Sequence, residues 1–408
     1  MGELSMGRES RGELPALLRP RVKPEHRPYR TVAGHVRIGS VVHGIGAEIE
    51  DPDGWVWELI QAMDGTRETE RIAVEVAAAH PVPDENDVFQ AMADLRQAGF
   101  LEDAATGIPT VFSARERERY SRGVPLLRWM DSSPRADAWD LQLALSHARV
   151  LLVGLGGAGG VAAQGLVASG VGRLHCVDPD VVELSNLNRQ VLYREPDIGR
   201  RKVDAALASL RALNSDVRLT GEATAVRSPA GLARLLRTGP PDGAPPVADM
   251  VEGARATEAP EPPRYDLLVL GADRPAALRT WANRVCLETG TPWIDGGYQG
   301  PLVTVGAYAP GRSGCLECHR ITLAESRDLG LPSGEDEATV SPRMPWSPVN
   351  AVTATLAGAL FVYAATAMLT GVPVLPSGFR LEFNLVRPGE PGFDPVLHRP
   401  DCPACGGA

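Results

Sequence analysis

Residues 149–180 read RVLLVGLGGAGGVAAQGLVASGVGRLHCVDPD. The run VLLV (150–153) is apolar without alternation. Such a strand belongs in a parallel sheet covered on both faces. Gly154, Gly156, Gly157 and Gly159 follow at once, then a helix of small residues and a second buried strand ending at Asp178. Glycines in that position allow a tight turn and close approach of the backbone to phosphates. The helix N-terminus behind them favours negative charge. Asp178 lies 24 residues beyond Gly154, about where an acid meets an adenosine ribose. This unit by itself predicts a nucleotide site, and a nicotinamide-dependent oxidoreductase would satisfy it equally well.

The next residues move the balance. DPDVVELSNLNRQ (178–190) carries Asp180, Asn186, Arg189 and Gln190, and GRRK (199–202) brings Lys202 to the start of another helix. These donors suit a triphosphate that has to be polarised, with Arg giving planar multidentate contacts and Lys a movable point charge. Hydride transfer needs none of them. The strand YDLLVLGA (265–272) ends beside Asp273, where an acid can hold Mg²⁺. Further strands are expected in PWIDGGYQGPLVTVGAYAP (292–310). The segment 347–369 reads as a long apolar helix in the core or on a dimer face. Residues 240–263 are so rich in Pro, Gly and Ala that they read as an insertion loop.

Four of the six cysteines form two CxxC pairs, Cys315/Cys318 and Cys402/Cys405. In a chain whose charged N-terminus has no signal-like apolar region, such pairs favour metal over disulfides. Four thiolates on two hairpins make a tetrahedral Zn²⁺ site. Cys176 and Cys286 lie in apolar segments and are poor nucleophiles. The cysteine-free stretch 320–348 reads as a loop that covers an active site. The formal charge of −10 disfavours non-specific nucleic-acid binding. No apolar run reaches the roughly 18 residues of a membrane span. A cytoplasmic protein with no nucleic-acid or membrane partner is expected.

Upstream, residues 1–18 read as a disordered tail and 19–108 as a compact α+β module. Two short strands precede three helices. Asp53 is the expected cap of the first, and Val88, Met92 and Leu95 share a face of the third. The order is that of a winged helix. Its third helix is acidic to neutral and the module has no basic stripe, which argues against DNA. Residues 104–147 read as a linker holding one helix, ADAWDLQLALSHA (136–148).

DPDVVELSNLNRQ, GRRK, the strand ending GAD (271–273) and the CxxC pairs together resemble the ThiF/MoeB/HesA superfamily. This group includes ubiquitin-activating and microcin-type peptide-adenylating enzymes, and the likeness covers about 115–408. It implies a Rossmann-like α/β adenylation domain with a mainly parallel sheet over 109–408. Asp178 then meets the ribose, Asn186, Arg189 and Lys202 handle the phosphates, and Asp273 holds magnesium. RYSR (119–122) resembles a family segment, with Gly123 where Gln is usual. That resemblance implies a homodimer in which Arg122 reaches the partner's ATP. Arg274 stands where the family has Asn. The 19–108 module resembles the small PqqD-like element that binds leader peptides as an added edge strand. The combined expectation is ATP-dependent adenylation of the C-terminal carboxylate of a ribosomally made precursor peptide. The alternatives are a non-catalytic leader-binding partner of a cyclodehydratase and an activator of a ubiquitin-like sulfur carrier.

Overall fold

The computed structural model describes residues 17–42, 44–135, 137–239, 265–326, 330–331, 340 and 348–406. The insertion at 240–263, nearly all of the N-terminal tail and most of the covering loop at 320–348 lie outside the described residues. The chain forms two compact units, Met1–Arg115 with Val124–Trp139, and Glu116–Gly123 with Asp140–Ala408.

In the first unit, β1 (Pro20–Val22) is followed by β2 (Tyr29–Arg30), β3 (Val36–Ile38) and β4 (Ala47–Ile49). Helices α1 (Trp55–Ala62), α2 (Thr69–Ala79) and α3 (Glu85–Gln97) come next, then β5 (Leu101–Asp103). Strands β2, β3 and β4 make an antiparallel sheet, and β1 pairs antiparallel with β5. The cap of α1 is Asp51, not the expected Asp53. Gly54, at φ +79°, turns the chain back so that the Asp51 carboxylate accepts from the amides of Val56 (3.0 Å) and Trp57 (3.1 Å). Asp84 and Asp87 form a capping box on α3, and Val88, Met92 and Leu95 are its buried face. Arg128 ties this unit internally, pairing with Glu25 at 2.6 Å and Glu102 at 3.2 Å.

The stretch expected as a linker is largely helical, with α4 (Ala114–Tyr120), α5 (Gly123–Met130) and α6 (Trp139–His147). The charge of RERERY hid the one buried anchor of α4, Tyr120. In the second unit its ring fills the space over Gly170, where a Cβ would collide with it. Its hydroxyl accepts from Asn214 Nδ2 at 3.1 Å, and the same amide donates to the Val167 carbonyl at 2.9 Å.

The second unit is built on β6 (Arg149–Val153), α7 (Gly157–Ala168), β7 (Arg173–Val177), α8 (Lys202–Leu213), β8 (Arg218–Glu222) and α9 (Pro229–Thr238). It continues with β9 (Leu267–Leu270), α10 (Leu278–Thr289), β10 (Trp293–Gln299), β11 (Leu302–Tyr308) and α11 (Leu316–Ser326). It closes with α12 (Ala351–Thr370), β12 (Phe379–Asn384) and β13 (Gly392–Pro395). The sheet order is β13-β12-β11-β10-β9-β6-β7-β8. From β10 to β8 all pairs are parallel, and β11 to β13 extend the sheet antiparallel. All five residues of β6 are buried. With β9 on one side and β7 on the other, β6 stands where the strand order reverses, the place at which open α/β sheets take ligands. Helix α12 is long and apolar enough to cross a membrane. In this fold it buries Ala354, Ala357, Phe361, Ala364 and Ala365 in the core. Gly358 sits so near α7 that a Cβ would meet the Val161 side chain.

Asn214 is fully buried and also accepts from the Asp216 amide at 3.1 Å. Asn214→Ala removes all three of these hydrogen bonds from a buried site and is expected to cost about 1–3 kcal/mol of stability. A fall in the urea midpoint at unchanged slope checks this; an unchanged midpoint refutes it.

Candidate functional site

The site grows from the end of β6. The Gly154 amide donates to the Val177 carbonyl at 2.8 Å, and the Gly271 amide to Val153 at 2.8 Å, so β7 and β9 hold the turn from both sides. Gly154 is left-handed at φ +96°, and a Cβ there would lie 2.6 Å from the Ala272 nitrogen. A Cβ on Gly159 would strike the Gly154 carbonyl oxygen. Side chains are thus excluded along the loop. Gly156 is the exception in surroundings, since nothing lies within 4 Å of where its Cβ would be. The first-turn amides of α7 have no helical acceptors. They begin the helix at the one glycine of this loop with open space beside it, a polar helix end suited to a phosphate.

Asp178 is buried, and its carboxylate accepts from the amides of Leu155 (2.6 Å) and Asp180 (2.9 Å). The residue expected to meet a ribose therefore braces the loop, and a carboxylate has further lone pairs with which to accept from a hydroxyl. Tyr193, which no motif singles out, donates to the Leu155 carbonyl at 3.0 Å. Asn186 is buried and accepts from the Glu183 amide at 3.1 Å, shaping the turn that follows β7. Gln190 is buried, and its Oε1 has no partner among the described residues. Arg189 is half-buried, its Nη1 donating to the Ser185 carbonyl (2.7 Å) and Asn188 Oδ1 (3.0 Å). Lys202 opens α8 with its side chain 6% exposed, paired at 2.9 Å with an Asp180 that is 60% exposed. A sheltered ammonium with a solvent-facing partner can exchange that partner for a phosphate. Asp273 is exposed, one residue beyond the Ala272 that packs on Gly154. Arg122 is exposed in the turn after α4.

Tyr298 was not legible in the sequence. It shares a face of β10 with Ile294, and its hydroxyl would be 3.4 Å from a Cβ on Gly157. Burial raises its pKa; Arg189 beside it works against that rise, and the Asp273 carboxylate adds to it.

A second cluster lies around α11. Cys315, Cys318, Cys402 and Cys405 bring their sulfurs within 4.8 Å of one another, and these four could hold a metal ion. The closest pairs are 3.4 Å (Cys318–Cys405), 3.7 Å (Cys315–Cys402) and 3.9 Å (Cys315–Cys318). These separations exceed a disulfide bond of about 2.05 Å. Asn283 Oδ1 accepts from the Leu316 amide at 2.9 Å and fixes the start of α11. Arg399 joins Glu325 to Asp401, each at 2.9 Å, and ties the C-terminal pair to the same helix. The other two cysteines are inert by environment. Burial pushes the Cys176 thiol up to about 12 and raises that of Cys286 as well.

Residues 130–404 match the ThiF family. The chain belongs to the ThiF family. Over 268 residues it is 33% identical to the adenylyltransferase and sulfurtransferase MOCS3 of Sus scrofa, 65% of this chain and 50% of that protein. It is 40% identical over 124 residues to the molybdopterin-synthase adenylyltransferase of Escherichia coli (strain K12), 30% of this chain and 46% of that protein. The chain thus spans about half the length of these curated relatives. The crystal structure of E. coli MccB superposes with a TM-score of 0.69 at 21% identity, covering 95% of this chain and 96% of that one. MccB with ATP gives 0.66 at 22%, covering 95% and 99%. These two likenesses establish a shared fold that extends beyond the ThiF segment into the N-terminal unit of this ThiF-family protein.

The thiol environments have a direct readout. Cys176 and Cys286 should resist iodoacetamide at pH 8 in the native protein and react after guanidinium unfolding, as mapped by mass spectrometry. Labelling of either in the native state would contradict their burial.

Proposed function

We propose that this ThiF-family protein is an ATP-dependent adenylyltransferase acting on the C-terminal carboxylate of a ribosomally made precursor peptide. The observation that carries the reading is the combination of a packed glycine cradle, open only at Gly156, with Arg189, Lys202 and Asp273 placed around it in the second unit. Whole-length likeness to MccB supports the peptide as substrate, since MccB has been solved with ATP and with N-formylated MccA. The first unit is the PqqD-like leader-binding module in this reading, and a homodimer brings Arg122 to the partner's nucleotide.

The chain's own groups divide the work. The backbone of Gly154, Gly156, Gly157 and Gly159 receives the phosphates, Asp178 the ribose, and Asn186 and Gln190 line the same pocket. The substrate carboxylate oxygen bonds to the α-phosphorus as the bond to the bridging oxygen breaks, and pyrophosphate leaves with the electron pair. Charge grows on phosphate oxygens in that step, and Arg189 and Lys202 counter it from fixed positions. Asp273 would hold Mg²⁺, which supplies further neutralisation of the same oxygens. With Cys176 and Cys286 buried and protonated, an amine, a sulfur donor or a substrate side chain from outside captures the adenylate.

The four thiols fit zinc. Thiolates at about 2.3 Å from the ion in a tetrahedron are about 3.8 Å apart, and the shortest pairs here are 3.4–3.9 Å. Zinc there would be structural, closing four ligand positions and joining α11 to the C-terminal turn. A second reading, activation of a ubiquitin-like sulfur carrier, is favoured by the higher identity to MOCS3 and to the molybdopterin-synthase adenylyltransferase.

ATP–pyrophosphate exchange decides between them. Exchange should depend on a short peptide encoded nearby and fall roughly 10²–10³-fold in Asp273→Ala. Exchange driven only by a Gly-Gly-ending carrier protein would establish the second reading, and tight leader binding without exchange would overturn both. The zinc assignment is checked separately. The purified chain should release one zinc per chain to a chromogenic chelator, and Cys402→Ser should lose both the metal and several degrees of thermal stability.

A further inference from the structure

Gly157, the first residue of α7, is crowded by three elements far apart in sequence. A Cβ on it would lie 2.7 Å from Ala354 Cβ, 3.4 Å from the Arg189 carbonyl oxygen and 3.4 Å from the Tyr298 hydroxyl. Helix α12, the segment after β7 and strand β10 therefore meet at the turn whose open side is Gly156. Tyr298 is anchored where Arg189 is not. Its ring packs on the main core of the second unit, next to strand residues that are fully buried. Arg189 is held by Ser185 and Asn188, both exposed and both on its own turn. Ser185 and Asn188 give the guanidinium no reference point outside its own turn. A phenol fixed in the sheet supplies an independent reference point. The Tyr298 hydroxyl and the Arg189 carbonyl stand at the same point of the turn, each 3.4 Å from the place of a Gly157 Cβ, and the charges of Arg189 and Asp273 act on the phenol.

We propose that Tyr298 is a positioning residue for adenylate formation, its phenol oxygen accepting from Arg189 and holding the guanidinium toward the phosphate bound at Gly156 and Gly157. Tyr298 transfers no proton in this role. The new bond forms between the carboxylate oxygen and the α-phosphorus, pyrophosphate departs, and Arg189 must already be in place when charge reaches the phosphate oxygens. The inference rests on the adenylation reading.

Its test uses the full chain as wild type, Tyr298→Phe, Arg189→Ala and the double variant. Phe keeps the ring and its packing. In peptide-dependent exchange, Tyr298→Phe should leave the KM for ATP within about twofold and lower kcat roughly 10-fold or more. The double variant should be no slower than Arg189→Ala. A wild-type kcat in Tyr298→Phe, or losses that multiply in the double variant, would overturn the proposal. Phenylglyoxal modification of Arg189, mapped by mass spectrometry, reads the contact without any substrate. It should be faster in Tyr298→Phe, and equal rates would overturn the proposal whatever the exchange shows. A wild-type chain inactive with every peptide, together with faster modification in the variant, defeats the catalytic role through loss of the adenylation reading and not through loss of the contact.

Discussion

The site depends on how closely the turn after β6 approaches the end of β9. Gly154, Gly159 and Gly271 touch backbone to backbone, with 3.0 Å between the Gly159 Cα and the place of a Cβ on Gly271. No side chain fits among them. That exclusion leaves the loop's amides uncovered by side chains of its own glycines. It also fixes α7, whose first turn aims those amides. Because β9 is the neighbour of β6, the same contact delivers Asp273 to the loop, although 114 residues separate Asp273 from Gly159 in the chain.

Charges around the cradle are arranged for exchange rather than for rigidity. Asp178 is buried and bonded to two amides, so it serves the frame. Lys202 is sheltered, yet its carboxylate partner faces solvent. Losing a partner outright would strand a buried ammonium. Trading it for an incoming phosphate would not, and an exposed Asp180 can be rehydrated when released. Arg189 is held by Ser185 and Asn188 of its own exposed turn, and Tyr298 stands at that turn from the sheet side. Preorganised cations of this kind are what a charge-building step at phosphorus requires.

The thiol cluster stands apart from this chemistry. Its sulfurs join α11 to a C-terminal turn across the 83 residues between Cys318 and Cys402. The two remaining cysteines lie in β7 and α10, where burial suppresses the thiolate. Cysteine in this molecule is therefore divided between a cluster and the core.

Much of this was legible in the sequence because its signals are local. Unbroken apolar runs gave β6, β7 and β9. Glycine spacing gave the loop, and the CxxC pairs gave two halves of one cluster. The long apolar helix expected over 347–369 is α12, and the Asn350 side chain caps its start. Other features were set by partners distant in the chain. Asp51 displaced Asp53 as a cap because Gly54 reverses the backbone. Helix α4 was masked by its charge, since its single anchor, Tyr120, acquires meaning only beside Gly170 and Asn214. Strand β12, FRLEFN (379–384), alternates cleanly but only its first residue is fully buried, and β13 is a four-residue exposed edge found only by pairing with it. Tyr298 had no motif at all. The sequence by itself determined which segments would be strands, turn and helix around a nucleotide loop, because periodicity and glycine act over a few residues. Only the tertiary structure decided which side chains stand at that loop, because strand order, not chain order, chooses the neighbours of β6.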